Sequence, residues 1–436
     1  MNYSKILEKY ILSIGDFCNR SSFLKDLNYW RAVDNMSATK LEVLQKENLK
    51  KLLFHAVCKS NYYGQVELIG DDPIKWLSNF PILTKDILRR ETVQLLTESK
   101  KGLKKISSSG SSGISSSVYM NQKDISSLRG GLVHWWEWSG YRIGCPVVQT
   151  GITPNRGVLK TIKDFLFRTI YVNAFAHDEA QIIAVLNKIK KGNYILIGYA
   201  SSLNVIADVA KKHNFKIKLK ATISLGDKLF DHYRKNISDT FSCKIQDTYG
   251  SSEGFLISSQ LDLPYSYILS PQVYLEIIDD ENKPVADGEM GNVVVTRLDG
   301  YAMPLIRYKI GDLAIKLPKE KYPKKRKFEY PLLQKIIGRD TDVVKTNNGK
   351  ILIVHSFTGI FEYISEIKQF KIIQKNINGI LIEIVKAENY SDQVLSEAKK
   401  ELLKIIESEN FLIEFKIVSQ ISPSKSGKPQ IIESYL

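Results

Sequence analysis

No run of apolar residues in this chain of 436 residues approaches the roughly 18 needed to cross a bilayer, so a membrane-spanning helix is not expected. The first residues, MNYSKILEKYILSIGDF, set Lys5, Glu8 and Lys9 among apolar positions, a pattern that fits an amphipathic helix and fails as a signal peptide. The expectation is a soluble, cytoplasmic protein. Cysteine is scarce: Cys18, Cys58, Cys145 and Cys243 lie far apart, with no CxxC pair and no neighbouring histidine pair. That excludes a disulfide framework and a zinc knuckle, and predicts reduced thiols in the core. Negative charge is also short, with 47 acidic against 62 basic residues and a net charge of +15. A nucleic-acid binder would interleave clustered cations with exposed aromatics, whereas these cations are scattered over helical segments, so no nucleic-acid partner is expected. The densest stretch, Lys316 to Lys327, is broken by Pro318 and Pro323 and reads as a solvated loop, with attraction of an anionic substrate or membrane surface as the alternative.

An apolar content of 43% over this length suits one large domain and a smaller one. Between about 160 and 250, short β-branched runs alternate with helical periods, which predicts βα units on a largely parallel sheet. Helices are expected over Ala176–Lys191, ended by Gly192, and over Ser202–His213; strands are expected over Tyr194–Ile197 and Lys216–Ile223. After Pro271 the pattern becomes β-rich, with Val273–Ile278, a turn over Asp279–Lys283, and Gly291–Thr296. The last hundred residues predict a small α+β domain: strands over Lys350–Val354, Phe370–Gln374, Ile380–Val385 and Phe411–Val418, with a helix over Ser391–Glu409. The fold class is therefore α/β, a large N-terminal domain over 1–338 made of layered α/β sheets plus a β-rich subdomain, followed by a small mobile α+β domain over 339–436.

The most informative segment is Ser107 to Ser117, SSSGSSGISSS, which follows Lys100, Lys101, Lys104 and Lys105. Gly110 and Gly113 admit unusual backbone angles, and the short side chains around them leave room for a phosphate oxygen to approach main-chain N–H groups. A flexible linker is the plainer reading of such a run. Its brief insertion between Ile106 and Val118-Tyr119-Met120 argues for a polyphosphate loop. It lacks the Gly-Lys-Ser/Thr ending of a Walker site, which disfavours ordinary ATPase or kinase chemistry.

Four further segments follow in order: Asp247-Thr248-Tyr249-Gly250-Ser251-Ser252-Glu253, Arg307-Tyr308-Lys309-Ile310-Gly311-Asp312, Gly338-Arg339-Asp340-Thr341-Asp342 and Ser426-Gly427-Lys428. Each alone reads as a turn, a hairpin residue or a solvated lysine. Taken in order with the serine loop, they resemble the core motifs of adenylate-forming enzymes, the superfamily of acyl-CoA synthetases, adenylation domains and luciferases. Within it the chain looks most like the phenylacetate-CoA ligase and capsule-biosynthesis (CapK-like) branch.

The resemblance implies ATP-dependent activation of a carboxylic acid as an acyl-adenylate, then transfer to coenzyme A or to an amine, possible in surface polysaccharide biosynthesis. It implies that Ser108, Gly110, Ser111, Ser112 and Gly113 bind phosphates and that Tyr249, with Gly250, Ser251 and Ser252, lies against the nucleotide. Gly226-Asp227 would line the adenine pocket, Asp312 would accept the ribose hydroxyls and Arg339 would support ribose or phosphate. Glu253 would hold Mg²⁺, and Lys428 would reach from the small domain to the α-phosphate and neutralise charge in the transition state. Four positions depart from the family pattern: Ser115 stands for a proline, Ile310 for a threonine, Thr341 for the hinge aspartate, and Asp227 for a glutamate.

Trp135-Trp136-Glu137-Trp138, in a helix expected over Leu128–Arg142, could wall an aromatic substrate, but adjacent indoles face different ways and core packing is the stronger expectation. His134, His177 and His232 are candidate bases without an assigned role. The alternative function is a non-catalytic nucleotide-binding scaffold in an envelope-polysaccharide assembly. The acid, the acceptor and the choice between monomer and homodimer stay open.

Overall fold

The computed structural model describes residues 3–107, 117–151, 158–173, 178–339, 343–361, 364, 366–408, 410–421 and 431–436. Among these residues eleven strands form one mixed sheet, in the spatial order Val273–Ile278, Met290–Arg297, Tyr308–Lys316, Leu332–Arg339, Ser266–Ile268, Phe255–Gln260, Ile245–Ser251, Ala221–Leu225, Ile195–Tyr199, Val147–Gly151 and Thr169–Asn173. The last five are parallel, and the rest are antiparallel. Parallel strands need crossovers and are covered on both faces, which explains why Ile195, Leu196 and Ile197 form an unbroken apolar run.

The crossover helices follow their sequence signals. Helix Glu179–Lys188 starts where the Asp178 side chain accepts from the Ala180 N–H and buries Ile182 and Leu186 one turn apart. Helix Ala200–Lys212 buries Leu203, Ile206, Ala207 and Ala210, a 3.6-period stripe. On the other sheet face lies helix Gln122–Trp138, which starts and ends earlier than the Leu128–Arg142 expected, because the Asn121 side chain accepts from the Asp124 N–H and fixes its start. Gly130 lets it approach helix Phe23–Val33 closely, since a Cβ there would lie 2.9 Å from the Asp26 Cβ.

Among the described residues from 344 to 432 a second core forms, with Phe230 of the large part packed against it. A four-stranded sheet runs in the order Leu412–Ile417, Gly379–Lys386, Ile367–Asn376, Ile432–Ser434, and helix Gln393–Ile406 lays Val394, Ala398, Leu402 and Ile406 on it. A mixed α/β architecture with a large N-terminal and a small C-terminal part is thereby observed.

Several expectations need correction. Residues 216–220 are outside any strand, which spans only Ala221–Leu225; Ile217 and Leu219 are buried, but an extended connection held by single bonds, Leu219 N–H to Phe241 O and Lys220 N–H to Tyr194 O, produces the same alternation. The strand at Lys350–Val354 is only Ile351–Ile353 and turns directly into helix Val354–Phe361. Cys243 is buried, whereas Cys18 and Cys58 are exposed, so the core-thiol reading fails for those two; all four are free. Trp135 and Trp138 are core residues. The Lys319, Lys321, Lys324, Lys325 and Lys327 side chains are solvated, as their proline-broken context predicts.

One carboxylate ties this core together. Asp34 accepts from His134 Nε2 (3.0 Å), from Trp138 Nε1 (3.0 Å) and from the Tyr330 hydroxyl (2.9 Å), donors drawn from distant parts of the chain. His134 is thus a structural group, 2% exposed. Removing the acceptor strands several buried donors, each costing about 1–3 kcal/mol. Asp34→Ala is expected to lower unfolding free energy by about 3 kcal/mol or more, with Asp34→Asn less harmful; a denaturant titration showing less than about 1 kcal/mol for the alanine variant would contradict this role.

Candidate active site

In open α/β sheets the ends of parallel strands leave a crevice where ligands bind. Here the carboxyl ends of Ile195–Tyr199, Ala221–Leu225 and Ile245–Ser251 bring Tyr199, Gly226 and the Tyr249 motif to one edge. Gly226 has φ of +79° and lies under the Tyr199 ring, where a Cβ would be 2.5 Å from Cε1. Only glycine makes that turn at that distance. The Asp227 carboxylate turns to the neighbouring crossover: it accepts from the Ala200 N–H, the Ser201 N–H (3.2 Å) and the Ser201 hydroxyl (2.6 Å), capping helix Ala200–Lys212. The side chain is therefore a cap.

Tyr249 and Asp312 meet across the sheet. The Tyr249 hydroxyl donates to Asp312 Oδ2 at 2.7 Å, and Arg339 Nε lies 3.1 Å from Oδ1 of the same carboxylate. Arg339 also donates through Nη1 to the Ile310 carbonyl (3.0 Å), and Asp312 and Arg339 are paired in the strand ladder. Burial and the Asp312 charge raise the Tyr249 phenol well above its usual range, so it stays a donor. Three expected residues from three separate segments thus form one cluster.

Glu253 is 5% exposed. Its carboxylate accepts from the Tyr308 hydroxyl (3.3 Å) and the Ser252 hydroxyl (3.4 Å). The serine loop itself, including Ser108, Gly110, Ser111, Ser112, Gly113 and Ser115, lies outside the described residues, but its flanks do not. Lys104–Ser107 and Ser117–Met120 pair as an antiparallel ladder that places Ser107 opposite Ser117. The second flank reaches the residue after the glutamate: a Cβ on Gly254 would be 2.4 Å from Met120 Cε and 2.6 Å from Arg297 Nη1. The Ser251 hydroxyl is buried without a hydrogen-bond partner among the described residues, which suits a group awaiting a ligand. Among the described residues no cluster of three or more His, Cys, Asp or Glu could hold a metal alone. A single carboxylate still fits magnesium, which takes few protein ligands when phosphates and water supply the rest.

Lys428, His177, Asp340, Thr341 and Asp342 also lie outside the described residues. Arg307 of the second motif turns away from the edge to pair with Glu276 (3.0 Å) and does not join the cluster. Sequence reasoning missed Tyr199 and Lys228. The signal for Tyr199 was its place as the last residue of a parallel strand; Lys228, whose Nζ donates to the Ile337 carbonyl at 2.9 Å, had none.

Comparison with known proteins gives a consistent picture. Residues 344–434 match the CapK C-terminal domain family. Protein CapK of Staphylococcus aureus is 25% identical over 404 residues, spanning 88% of this chain and 87% of CapK. Phenylacetate-coenzyme A ligase of Pseudomonas putida is 30% identical over 133 residues, 29% of each chain. Among solved structures, a 2-hydroxyisobutyryl-CoA ligase with R3-HIB-AMP in its postadenylation state superposes with a TM-score of 0.73 at 17% identity, over 93% of this chain and 91% of that one. The same ligase with 2-HIB-AMP and CoA in its thioesterification state gives 0.58 at 17% identity, over 93% and 92%. The resemblance read from the ordered motifs is borne out, and the fold is that of the adenylate-forming ligases. No helix among the described residues is long and apolar enough to cross a membrane.

Asp247, which precedes the Tyr249 motif, titrates unusually. Burial pushes its carboxyl up from 3.8 to about 6, with the Arg234 guanidinium opposing the shift and the Asp227 charge adding to it. A carboxyl raised in the folded state contributes most when protonated, so stability is lost as pH rises through about 6 and recovered as pH falls toward 4. Asp247→Asn removes that dependence. Its melting temperature relative to the parent is expected to be most favourable above pH 7 and to lose that advantage between pH 6 and 4; a difference independent of pH would refute the assignment.

Proposed function

We propose that this chain is an AMP-forming carboxylate ligase. The observation that supports it most is the convergence of Tyr249, Asp312 and Arg339 in one cluster, with Glu253 in the same motif as Tyr249 and its neighbour Gly254 abutting the outgoing flank of the serine loop. Adenylation brings two anions together, a carboxylate and the α-phosphate, and needs positive dipoles where pyrophosphate departs. In this reading the main-chain N–H groups of Ser108, Gly110, Ser111, Ser112 and Gly113 receive the leaving phosphates. Gly226 and Tyr249, with Gly250, Ser251 and Ser252, border the adenine. Asp312 exchanges its Tyr249 and Arg339 partners for ribose hydroxyls, a task suited to an acceptor-only carboxylate. Glu253 would hold magnesium, which supplies charge neutralisation along the phosphates.

In the first step a substrate carboxylate oxygen attacks the α-phosphorus, the bond to pyrophosphate breaks, and Lys428 neutralises the charge that develops. In the second, an acceptor attacks the acyl carbon and AMP leaves with the bonding electrons. We set the division between the parts at 338/339, with the small part turning about 338–342 to withdraw Lys428 and admit the acceptor. The acceptor is a thiol, coenzyme A, or an amine. A cytoplasmic place in surface polysaccharide synthesis fits the kinship with CapK.

Pyrophosphate exchange into ATP, measured with purified protein against aryl, fatty, hydroxy and amino acids before any acceptor is added, tests the first step. Exchange with one acid class is the expected result. ATP binding without exchange across the panel would favour the scaffold alternative. Lys428→Ala is expected to slow exchange a hundredfold or more, as loss of a transition-state donor does; exchange at the native rate would remove Lys428 from the mechanism. Asp312→Ala is expected to weaken ATP binding about 10- to 100-fold, the equivalent of losing charged hydrogen bonds of about 1.5–3 kcal/mol. Calorimetry showing unchanged affinity would remove Asp312 from the ribose site.

A further inference from the structure

The segment that carries Gly226 and Asp227 continues into an aromatic contact that crosses from the large part to the small one. Phe230 belongs to the large part, at the start of helix Asp231–Phe241, yet it packs against the small part's apolar core, the cluster that contains Phe357, Phe361, Ile372 and Leu402. Behind it, Tyr233 meets the Phe230 ring edge-on, with centroids 5.4 Å apart at 84°, and packs in turn against the large part's cluster under the parallel strands. His232 stacks on the same ring at 5.7 Å and 24°. An apolar path therefore runs from one core to the other through the Phe230 and Tyr233 rings, beside a second apolar contact in which Leu313 and Ile337 of the large part meet Val343 of the small one. Lys228 reinforces it from the large part: its Nζ sits 5.7 Å from the Phe230 ring centroid and donates to the Ile337 carbonyl, in the strand that leads out of the sheet toward the small part.

We infer that Phe230 and Lys228 are positioning residues for the first half-reaction, holding the small part in the orientation that serves adenylation and letting go for the second. The inference rests on the ligase reading above. The closer superposition on the postadenylation than on the thioesterification arrangement agrees with it. A small aromatic contact suits the task. A half-buried phenyl ring contributes part of what a fully buried apolar side chain does, enough to bias two orientations and too little to prevent a domain turn. The segment is also well placed to sense the nucleotide, because Gly226 lies under Tyr199 and Asp227 caps helix Ala200–Lys212, which fixes its backbone at the proposed adenine pocket.

The test uses the full chain carrying Phe230→Ala, Phe230→Leu and Lys228→Met, with three readouts: melting temperature, small-angle X-ray scattering without ligands, and the two half-reactions run separately. The half-reactions are pyrophosphate exchange, and acceptor-dependent consumption of a supplied acyl-adenylate made from the acid that supports exchange in the parent. Phe230→Ala is expected to broaden the distance distribution in scattering and to cut exchange about tenfold, while transfer from the supplied adenylate stays within twofold or accelerates. Phe230→Leu should recover most of the exchange, and Lys228→Met should shift both readouts the same way by less. Equal losses in both half-reactions with a lowered melting temperature would mean that Phe230 merely supports the fold, and would overturn the inference. Unchanged scattering with native exchange would overturn it too, leaving the ligase reading intact. If the parent itself supports no exchange with any acid while Phe230→Ala still broadens the scattering, the ring holds the two parts together and it is the ligase reading that fails.

Discussion

Asp312 is held by groups from two other strands, the Tyr249 hydroxyl on one side and the Arg339 guanidinium on the other, and the whole candidate site is arranged around that carboxylate. At 9% exposure an unpartnered carboxylate would be costly to keep ionised, so the fold surrounds it with donors before any ligand arrives. Those donors come from the strand that carries the Tyr-Gly-Ser-Ser-Glu motif and from the strand that leaves the large sheet. The mixed polarity of the sheet serves this arrangement. Parallel strands bring their carboxyl ends to one edge, and the antiparallel strands return Asp312 and Arg339 to the same edge from the far side.

The parts legible in the sequence were those with a local signal. Tyr194–Ile197 read as a strand because its apolar run is short, and the strand spans Ile195–Tyr199; Ser391–Glu409 read as a helix because Val394, Leu395, Ala398, Leu402 and Ile405 share one face, and the helix spans Gln393–Ile406 with Val394, Ala398, Leu402 and Ile406 buried. Tyr249, Glu253, Asp312 and Arg339 were legible for another reason: their motifs, taken in order, resemble those of adenylate-forming enzymes, whereas each motif alone reads as an ordinary structural feature. What the sequence could not convey were contacts between distant segments. Asp34 gathers His134, Trp138 and Tyr330, and nothing near residue 34 announces three donors arriving from elsewhere. Arg307 sits inside a motif and still serves the fold, because Glu276 lies across the sheet from it. Phe230 reads as one more apolar residue at a helix start until the second core is seen against it.

The tryptophan segment illustrates the same limit from the opposite direction. Four consecutive residues suggested an aromatic wall, and helical geometry distributes them around the axis. Trp135 and Trp138 enter one core, Trp136 borders another, and Glu137, its side chain 6% exposed, pairs with Arg31 of the neighbouring helix. Composition drew attention to the segment; the 100° step between neighbours on a helix decided what each side chain could do.

The pairing of Asp312 with Arg339 is the final rung of its ladder, and beyond it the chain passes to the second core. In the domain turn proposed above, this rung is the fulcrum. A compact body of about 95 residues is about 30 Å across, so a torsional change of about 10° just past Arg339 carries its far side through roughly 5 Å. Backbone angles of that size vary within ordinary conformational wells, so large displacements at the far end cost little distortion at the pivot. The leverage also runs backward: a load applied to the distant end of the small part is delivered, multiplied, to the one guanidinium that rests on Asp312.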